Sequence, residues 1–229
     1  MRKIIIAIDG PAGSGKSTLA SRLARKLGYI NIESGAMYRA LALQAIENDV
    51  SVDDEAALVK LAHDSHIDLE PRLDGNRVLL DGTDVSERVR EQDVTDAASK
   101  VSVHPRVREW MVARQQAMGA EGGIVMEGRD IGTKVFPHAE VKIFLDAAPE
   151  VRGERRFKQA PVGMGERQPE AVLKELRERD QRDRTRATSP LVPAADAVVI
   201  DSTAMGIEEV VQRAEEIIEK RLPGSPTSP

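Results

Sequence analysis

Gly10-Pro11-Ala12-Gly13-Ser14-Gly15-Lys16-Ser17, with Thr18 next in line, fits the pattern G-x-x-x-x-G-K-[ST] in full. A β-branched run, Lys3 to Asp9, precedes it, and a leucine-periodic stretch begins at Lys16. The spacing therefore predicts strand, glycine loop, helix. In that context the glycines let successive backbone N–H groups curl around a phosphate, and the helix start adds a positive dipole end. Lys16 would reach the β- and γ-phosphates of a nucleotide, and Ser17 would hold Mg²⁺. This supports nucleoside-triphosphate binding and nothing narrower. Neither the N-K-x-D string of a GTPase nor an LSGGQ-like string occurs.

Arginines supply the second signal. Val172, Leu176, Arg179, Asp183 and Arg186 follow each other at i, i+4, i+7, i+11 and i+14, one continuous helical face that begins apolar and ends charged. Such a face delivers an Arg-Asp-Arg set to an interior cleft, where a polyanionic ligand would supply the partners that buried charge requires. The alternative is a solvated, salt-bridged helix end. Arg152, Arg155 and Arg156 form another cluster just before the glycine-rich "PVGMGERQ". Arginines on a flap can close over a phosphoryl group in transfer and neutralise its developing charge; surface solubility is the competing reading. "EGRD" sets Arg129 and Asp130 near the loop, "SGAMYR" sets Ser34, Tyr38 and Arg39 at the mouth of a second strand, and Arg108 adjoins the apolar Val107, Trp110 and Met111. Tyr38, Arg39 and Arg108 would otherwise be ordinary helix surface. The four histidines lack metal-ligand spacing. One triphosphate loop with more arginines than one nucleotide needs points to two anionic substrates facing each other, and to phosphoryl transfer between them.

These residues need a scaffold, and the pattern supplies an α/β one. Short strands are expected at Lys3–Asp9, "YINIES", "GGIVMEGRD", "EVKIFLDA" and "DAVVIDST", separated by helices at Lys16–Leu27, Ala36–Asn48, "HPRVREWMVARQQAMG", "PEVRGERRFKQ", Pro169 to about Arg184, and "IEEVVQRAEEIIEKRL". That alternation predicts a five-stranded parallel sheet with helices on both faces. Its ligands would lie beyond the carboxyl ends of the strands, each of which turns polar there: Asp9, Glu33-Ser34, Glu127 to Asp130, Asp146, Asp201-Ser202. Residues 49–103 read differently, as a capped helix followed by alternating segments around two Asp-Gly turns, a small antiparallel sheet in an inserted lobe. The expected organisation is one domain over 1–222, an insert over about 36–103, a lid over about 152–168 and a disordered tail over 223–229.

Composition agrees with that scale. The chain has 229 residues, a formal net charge of −5, 41% apolar and only 3% aromatic residues, so the core must be aliphatic. Mild acidity argues against nonspecific nucleic-acid binding. The lack of cysteine excludes disulfides and thiolate metal sites and is compatible with a reducing compartment. "MRKIII" is too short an apolar run for a signal peptide, and no stretch approaches the ~20 apolar residues of a membrane span. The expectation is a cytoplasmic monomer acting on small-molecule nucleotides, with neither nucleic acid nor membrane as partner.

Taken together and in order, "DGPAGSGKST", "SGAMYR", "HPRVRE", "EGRDIGTKVFP", "VKIFLDA", "ERDQRDRTRA" and "SPLVPAADAVVIDST" resemble the bacterial cytidylate kinases over nearly the whole chain. The resemblance implies transfer of the γ-phosphoryl group of MgATP to CMP or dCMP on a P-loop monophosphate-kinase fold, strand order 2-3-1-4-5. It implies that Ser99, Arg108 and Asp130 face cytosine, that Tyr38, Arg179 and Asp183 face the sugar, and that Ser34, Arg39, Arg129 and Arg186 face the acceptor phosphate. Lys16, Arg129, Arg152, Arg156 and Arg182 are the expected catalytic set. Two departures stand out: Pro161 to Gln168 does not align with the family's lid, and "EGRD" opens with a Glu where many relatives are expected to carry an aspartate. A different acceptor (UMP, AMP or shikimate) and a nucleotide-binding switch without turnover are the competing readings. The Ser99, Arg108 and Asp130 set argues against the first, and the Arg179–Arg186 face against the second.

Overall fold

The computed structural model describes residues 3–72, 75–158 and 168–221. Its strands are β1 (Ile5–Asp9), β2 (Ile30–Glu33), β3 (Ile67–Arg72), β4 (Gly75–Leu80), β5 (Thr83–Asp84), β6 (Ile124–Gly128), β7 (Val141–Asp146) and β8 (Val198–Asp201). Its α-helices are α1 (Lys16–Leu27), α2 (Ser34–Glu47), α3 (Glu55–Asp64), α4 (Gln92–Val101), α5 (Pro105–Met118), α6 (Pro149–Lys158), α7 (Pro169–Thr185) and α8 (Ile207–Arg221).

β1 is continuous in apolar residues because it lies at the centre of a parallel sheet ordered β2-β6-β1-β7-β8, with both faces covered. Counted among these five strands alone the order is 2-3-1-4-5, as expected. Register aligns the polar strand ends along one edge: Asp9 lies opposite Gly128 and Phe144, Glu33 opposite Glu127, and Asp146 opposite Asp201. Leu19, Leu23 and Ala24 of α1 and Val210, Ala214, Ile217 and Ile218 of α8 share one apolar cluster with Ile6, Ile8 and Leu145. Ile32, Met126, Ile131 and Val135 form another.

A separate apolar cluster runs from Ala36 to Met111 and joins α2, α3, α4, α5 and the antiparallel sheet β3-β4-β5. The insert expected at 36–103 falls inside it, and the cluster reaches further, to Val107 and Met111 on α5. α2 serves both units, which is why it is buried almost all round: Ala36, Met37, Ala40, Leu41, Ala42, Leu43 and Ala45 are all covered. Asp54 caps α3 by accepting from Ala57 N at 3.0 Å. Asp81 and Gly82 both take positive φ, 49° and 81°, as a two-residue hairpin turn requires. α4 was not expected. Its buried face, Val94, Ala97, Ala98 and Val101, repeats at i, i+3, i+4 and i+7 against a polar opposite face, a helical period that was present in the sequence and was passed over.

A side chain from the insert also extends the edge of the main sheet. Buried Asn76 donates from Nδ2 to Asn31 O and accepts from Glu33 N, both at 2.8 Å. Its carboxamide thereby pairs with the outer edge of β2 as the peptide of a neighbouring strand would.

The first seven residues of the expected lid, 152–158, continue α6, while 159–167 and the expected tail 223–229 lie outside the described residues. Among the described residues no helix is long and apolar enough to cross a membrane.

Candidate active site

The loop between β1 and α1 is held tightly from outside. A Cβ on Gly10 would sit 2.0 Å from Leu145 O of β7, and one on Gly13 would sit 2.9 Å from Arg152 O, at φ values of +152° and +76°. Glycine is required at both positions because neighbouring backbone comes that close. Pro11 O and Ser14 Oγ accept from Lys16 Nζ at 2.7 and 3.4 Å. Burial, reinforced by Arg129 and opposed by Glu127, pushes the Lys16 ammonium down to about 7. Ser17 Oγ donates to Glu127 Oε1 at 2.8 Å. Burial holds the Glu127 carboxyl above its usual range, with Lys16 opposing and Glu33 adding to the rise.

Ala12, Gly13, Lys16, Ser17 and Thr18 form one bank of a cleft of about 1150 Å³. Another bank is α7, whose Val172 and Leu176 are buried and whose Arg179, Arg182 and Asp183, with Arg186 just past its end, all line the same cleft. The apolar-to-charged face therefore does what its spacing predicts: the packed start aims the charged end inward. Asp183 is the hub of that bank. Arg129 donates from Nε to its Oδ2 at 2.9 Å, and Arg186 Nη1 lies 3.6 Å from its Oδ1. Burial alone would raise the Asp183 carboxyl; Arg129, Arg179 and Arg186 hold it below its ordinary value. Arg179 Nε is buried with no hydrogen-bond partner, and burial together with Arg129 lowers its guanidinium to about 10.

Ser99, Arg108 and Asp130, all buried, line the same cleft. Arg108 and Asp130 form a buried ion pair. Arg108 also donates to Ser102 O at 3.0 Å and lies 5.6 Å over the Tyr38 ring, whose hydroxyl burial pushes up to about 12. Arg186 Nη2 is 4.0 Å from Asp130 Oδ1, and Arg182 Nε donates to Ser99 Oγ at 3.1 Å. Near the mouth of β2, Ser34 Oγ donates to Glu127 O at 2.7 Å and Arg39 pairs with Glu33 at 2.5 Å.

A phosphate loop and an arginine bank in one cleft fit several kinases; comparison with known proteins narrows the field. Residues 6–220 match the family described as cytidylate kinase. The chain belongs to the cytidylate kinase family. The cytidylate kinase of Geobacillus kaustophilus is 49% identical over 221 residues, covering 96% of this chain and 99% of that protein. That of Enterococcus faecalis is 50% identical over 221 residues, covering 96% and 98%. Among solved structures, an uncharacterized protein from Eubacterium ventriosum aligns with a TM-score of 0.52 at 12% identity, over 95% of this chain and 99% of that one, a likeness of fold alone.

Within this cytidylate kinase framework, one expected residue faces elsewhere. Arg152 does not line the cleft: it is 2% exposed and lies behind the phosphate loop. It donates to Ala147 O at 2.8 Å and Ala12 O at 3.0 Å and pairs with Asp180 at 2.6 Å. The expected direct contact with a phosphate in transfer is therefore corrected: its donors are turned to protein groups. Arg155 likewise serves the scaffold, donating to Ser202 O at 2.7 Å and Ser202 Oγ at 3.0 Å. Arg156 and Arg182 do line the cleft.

Three acids in and behind this cytidylate kinase cleft escaped the sequence reading except as polar strand ends or members of a charged run: Glu33, which lines it, and Asp180 and Asp9, which do not. Asp9 ends β1, 4% exposed, and accepts from Ile131 N at 2.8 Å and Gly132 N at 2.7 Å. It thus fixes the turn that follows Asp130 to the strand that feeds the phosphate loop. Burial raises its carboxyl to about 6. An acid raised in the folded state stabilises the protein at low pH and loses that contribution as pH rises through the folded value. Wild-type stability relative to Asp9→Asn should therefore fall by up to about 3 kcal/mol between pH 4 and pH 6, on the order of 1.4 kcal/mol per unit. Denaturant titrations of both proteins across that range measure it; a constant difference would contradict it.

Proposed function

We propose that the protein transfers the γ-phosphoryl group of ATP to CMP or dCMP, giving ADP and CDP or dCDP. The observation that carries this reading is the single cleft shared by the Lys16 loop and the Arg179, Asp183 and Arg186 face. An acceptor phosphate oxygen attacks the γ-phosphorus as the bond to the β–γ bridging oxygen breaks. A phosphate monoester has its second pKa near ~6 and is ionised at neutral pH, so no general base is needed. The protein's part is positioning and charge neutralisation.

In this reading the loop N–H groups and Lys16 hold the donor's β- and γ-phosphates. Arg39 and Arg129, with Ser34 and Arg186, hold the acceptor phosphate, and Tyr38, Arg179 and Asp183 meet the sugar. Ser99, Arg108 and Asp130 meet the base, where Asp130 accepts from the exocyclic amine that uracil lacks. Arg156 and Arg182, which also line the cleft, meet charge as it moves. The Ser17 hydroxyl and Glu127 carboxylate, 2.8 Å apart, are hard oxygen donors suited to Mg²⁺, directly or through its waters. Bound there with the nucleotide, the ion supplies further neutralisation of the phosphates. The reading extends to a monomer working on free nucleotides in the cytoplasm.

ADP release from MgATP with CMP, dCMP, UMP and AMP as acceptors tests it. CMP and dCMP should react comparably, and kcat/KM with UMP should be lower by about 10²-fold or more, because a buried acceptor left unpaired is heavily penalised. Equal rates with UMP would refute the base assignment, and no turnover with any acceptor would refute the kinase reading.

A further inference from the structure

Arg152 is the residue whose expected role and observed surroundings disagree most, and its surroundings define a different one. Its guanidinium is spent on three protein acceptors in three directions. Nε donates to Ala147 O, in the segment that leads from β7 into α6, at 2.8 Å. Nη1 donates to Ala12 O, inside the phosphate loop, at 3.0 Å. Nη2 pairs with Asp180 Oδ2, on α7, at 2.6 Å. The other Asp180 oxygen is buried without a hydrogen-bond partner, so among the described residues the carboxylate's one close tie is to Arg152.

The bond to Ala12 O has a geometric consequence. A trans peptide is planar, with its N–H opposite its C=O. Holding the Ala12 carbonyl outward against α6 turns the N–H of the same peptide, that of Gly13, the other way, toward the side of the loop that lines the cleft. Arg155 supports the next turn similarly, its Nη1 lying 3.4 Å from Ser14 O. When Gly13 N–H donates to a donor phosphate, the peptide is polarised and its carbonyl becomes a better acceptor for Arg152. On its far side the same guanidinium holds the carboxylate that adjoins Arg179 in sequence and whose charge acts on Arg129. Arg152 thus joins the donor loop to the helix of the acceptor bank through one rigid, planar, forked group, which a lysine cannot mimic.

Building on the kinase reading, we infer that Arg152 is a positioning residue which, through Ala12 O and Asp180, couples donor binding at the loop to acceptor binding at α7. Each substrate then tightens the binding of the other, by the same factor in both directions as linkage requires.

The test is equilibrium binding, which needs no turnover. The Kd of a non-hydrolysable ATP analogue with Mg²⁺ is measured with and without saturating CMP, and the Kd of CMP with and without the analogue. In the wild type each ligand should improve the other about 5-fold or more, the lower end of typical coupling. In Asp180→Asn and in Arg152→Lys the factor should drop to within twofold of one, while Asp180→Glu, which keeps the charge, should retain part of it. A merely structural role for the pair would lower Tm and leave the factor intact, so Tm is recorded for each variant. A wild-type factor of one, or an undiminished factor in a folded Asp180→Asn, overturns the inference even if Arg152→Lys fails to fold. Failure of CMP or the ATP analogue to bind the wild type at all would instead count against the kinase reading.

Discussion

Replacing Lys16 with alanine should lower the rate of phosphoryl transfer by about 10³-fold, and by the same factor for CMP and dCMP. The side chain is 5% exposed, and its ammonium shares the loop's interior with Pro11 O and Ser14 Oγ. In so dry a setting a unit charge acts on a polyphosphate with little screening, and a preorganised charge at a transferring phosphoryl group contributes on the order of 10²–10⁵ in rate. The loss should be blind to the acceptor because Lys16 belongs to the loop bank, while the proposed base-reading set is Ser99, Arg108 and Asp130, which line the cleft from other elements. Stability should change little. Burial already disfavours the ammonium, shown by its depression to about 7, so its removal relieves one desolvation penalty while taking a countercharge from Glu127. Steady-state kinetics with both acceptors and a denaturation curve measure the two effects. A loss confined to one acceptor would contradict the division of the cleft into donor and acceptor banks.

That division was legible in the sequence because its two halves are written locally. The loop is a contiguous eight-residue pattern, Gly10 to Ser17, and the α7 face is a single helical period. The strand order is not local, yet the alternation of strands and helices with polar strand ends leaves few ways to assemble a parallel sheet, and the resemblance to a known family named the order. What could not be read were contacts whose partner is backbone far away in the chain. Arg152 belongs to a run of arginines next to a glycine-rich segment, which locally reads as a flap over phosphates. Its true acceptor, Ala12 O, lies 140 residues earlier and carries no side-chain signature. Asp9 has the same character: an acid at a strand end suggests a ligand site, while its partners are two N–H groups 122 and 123 residues away. α4 is a different case: Val94, Ala97, Ala98 and Val101 fall at helical spacing against a polar face, so the helix was legible in the sequence and was overlooked beside the alternating segments before it.

Asp130→Ala should be among the most damaging single changes outside the loop, in two separable ways. Arg108 is 2% exposed, and Asp130 is its carboxylate partner. Breaking a buried pair from one side leaves the other charge uncompensated and costs about 3–5 kcal/mol. The remaining contacts of Arg108, to Ser102 O and the Tyr38 ring, are with neutral groups, and Arg186 stands 4.0 Å from Asp130 with a positive charge that also loses a counterion. The second loss is recognition: with no carboxylate to accept from the exocyclic amine, the advantage of CMP over UMP should fall to about tenfold or less, the range left to shape alone. The two losses part company in Arg108→Met combined with Asp130→Leu. A well-packed apolar pair often matches or exceeds a buried ion pair in stability, so the double variant should regain most of the lost denaturant midpoint. It should nonetheless still fail to prefer CMP, because neither new side chain can meet a base edge with a hydrogen bond. If the double variant discriminated CMP from UMP as the wild type does, the base would have to be read elsewhere, and Arg108 with Asp130 would be a structural pair only.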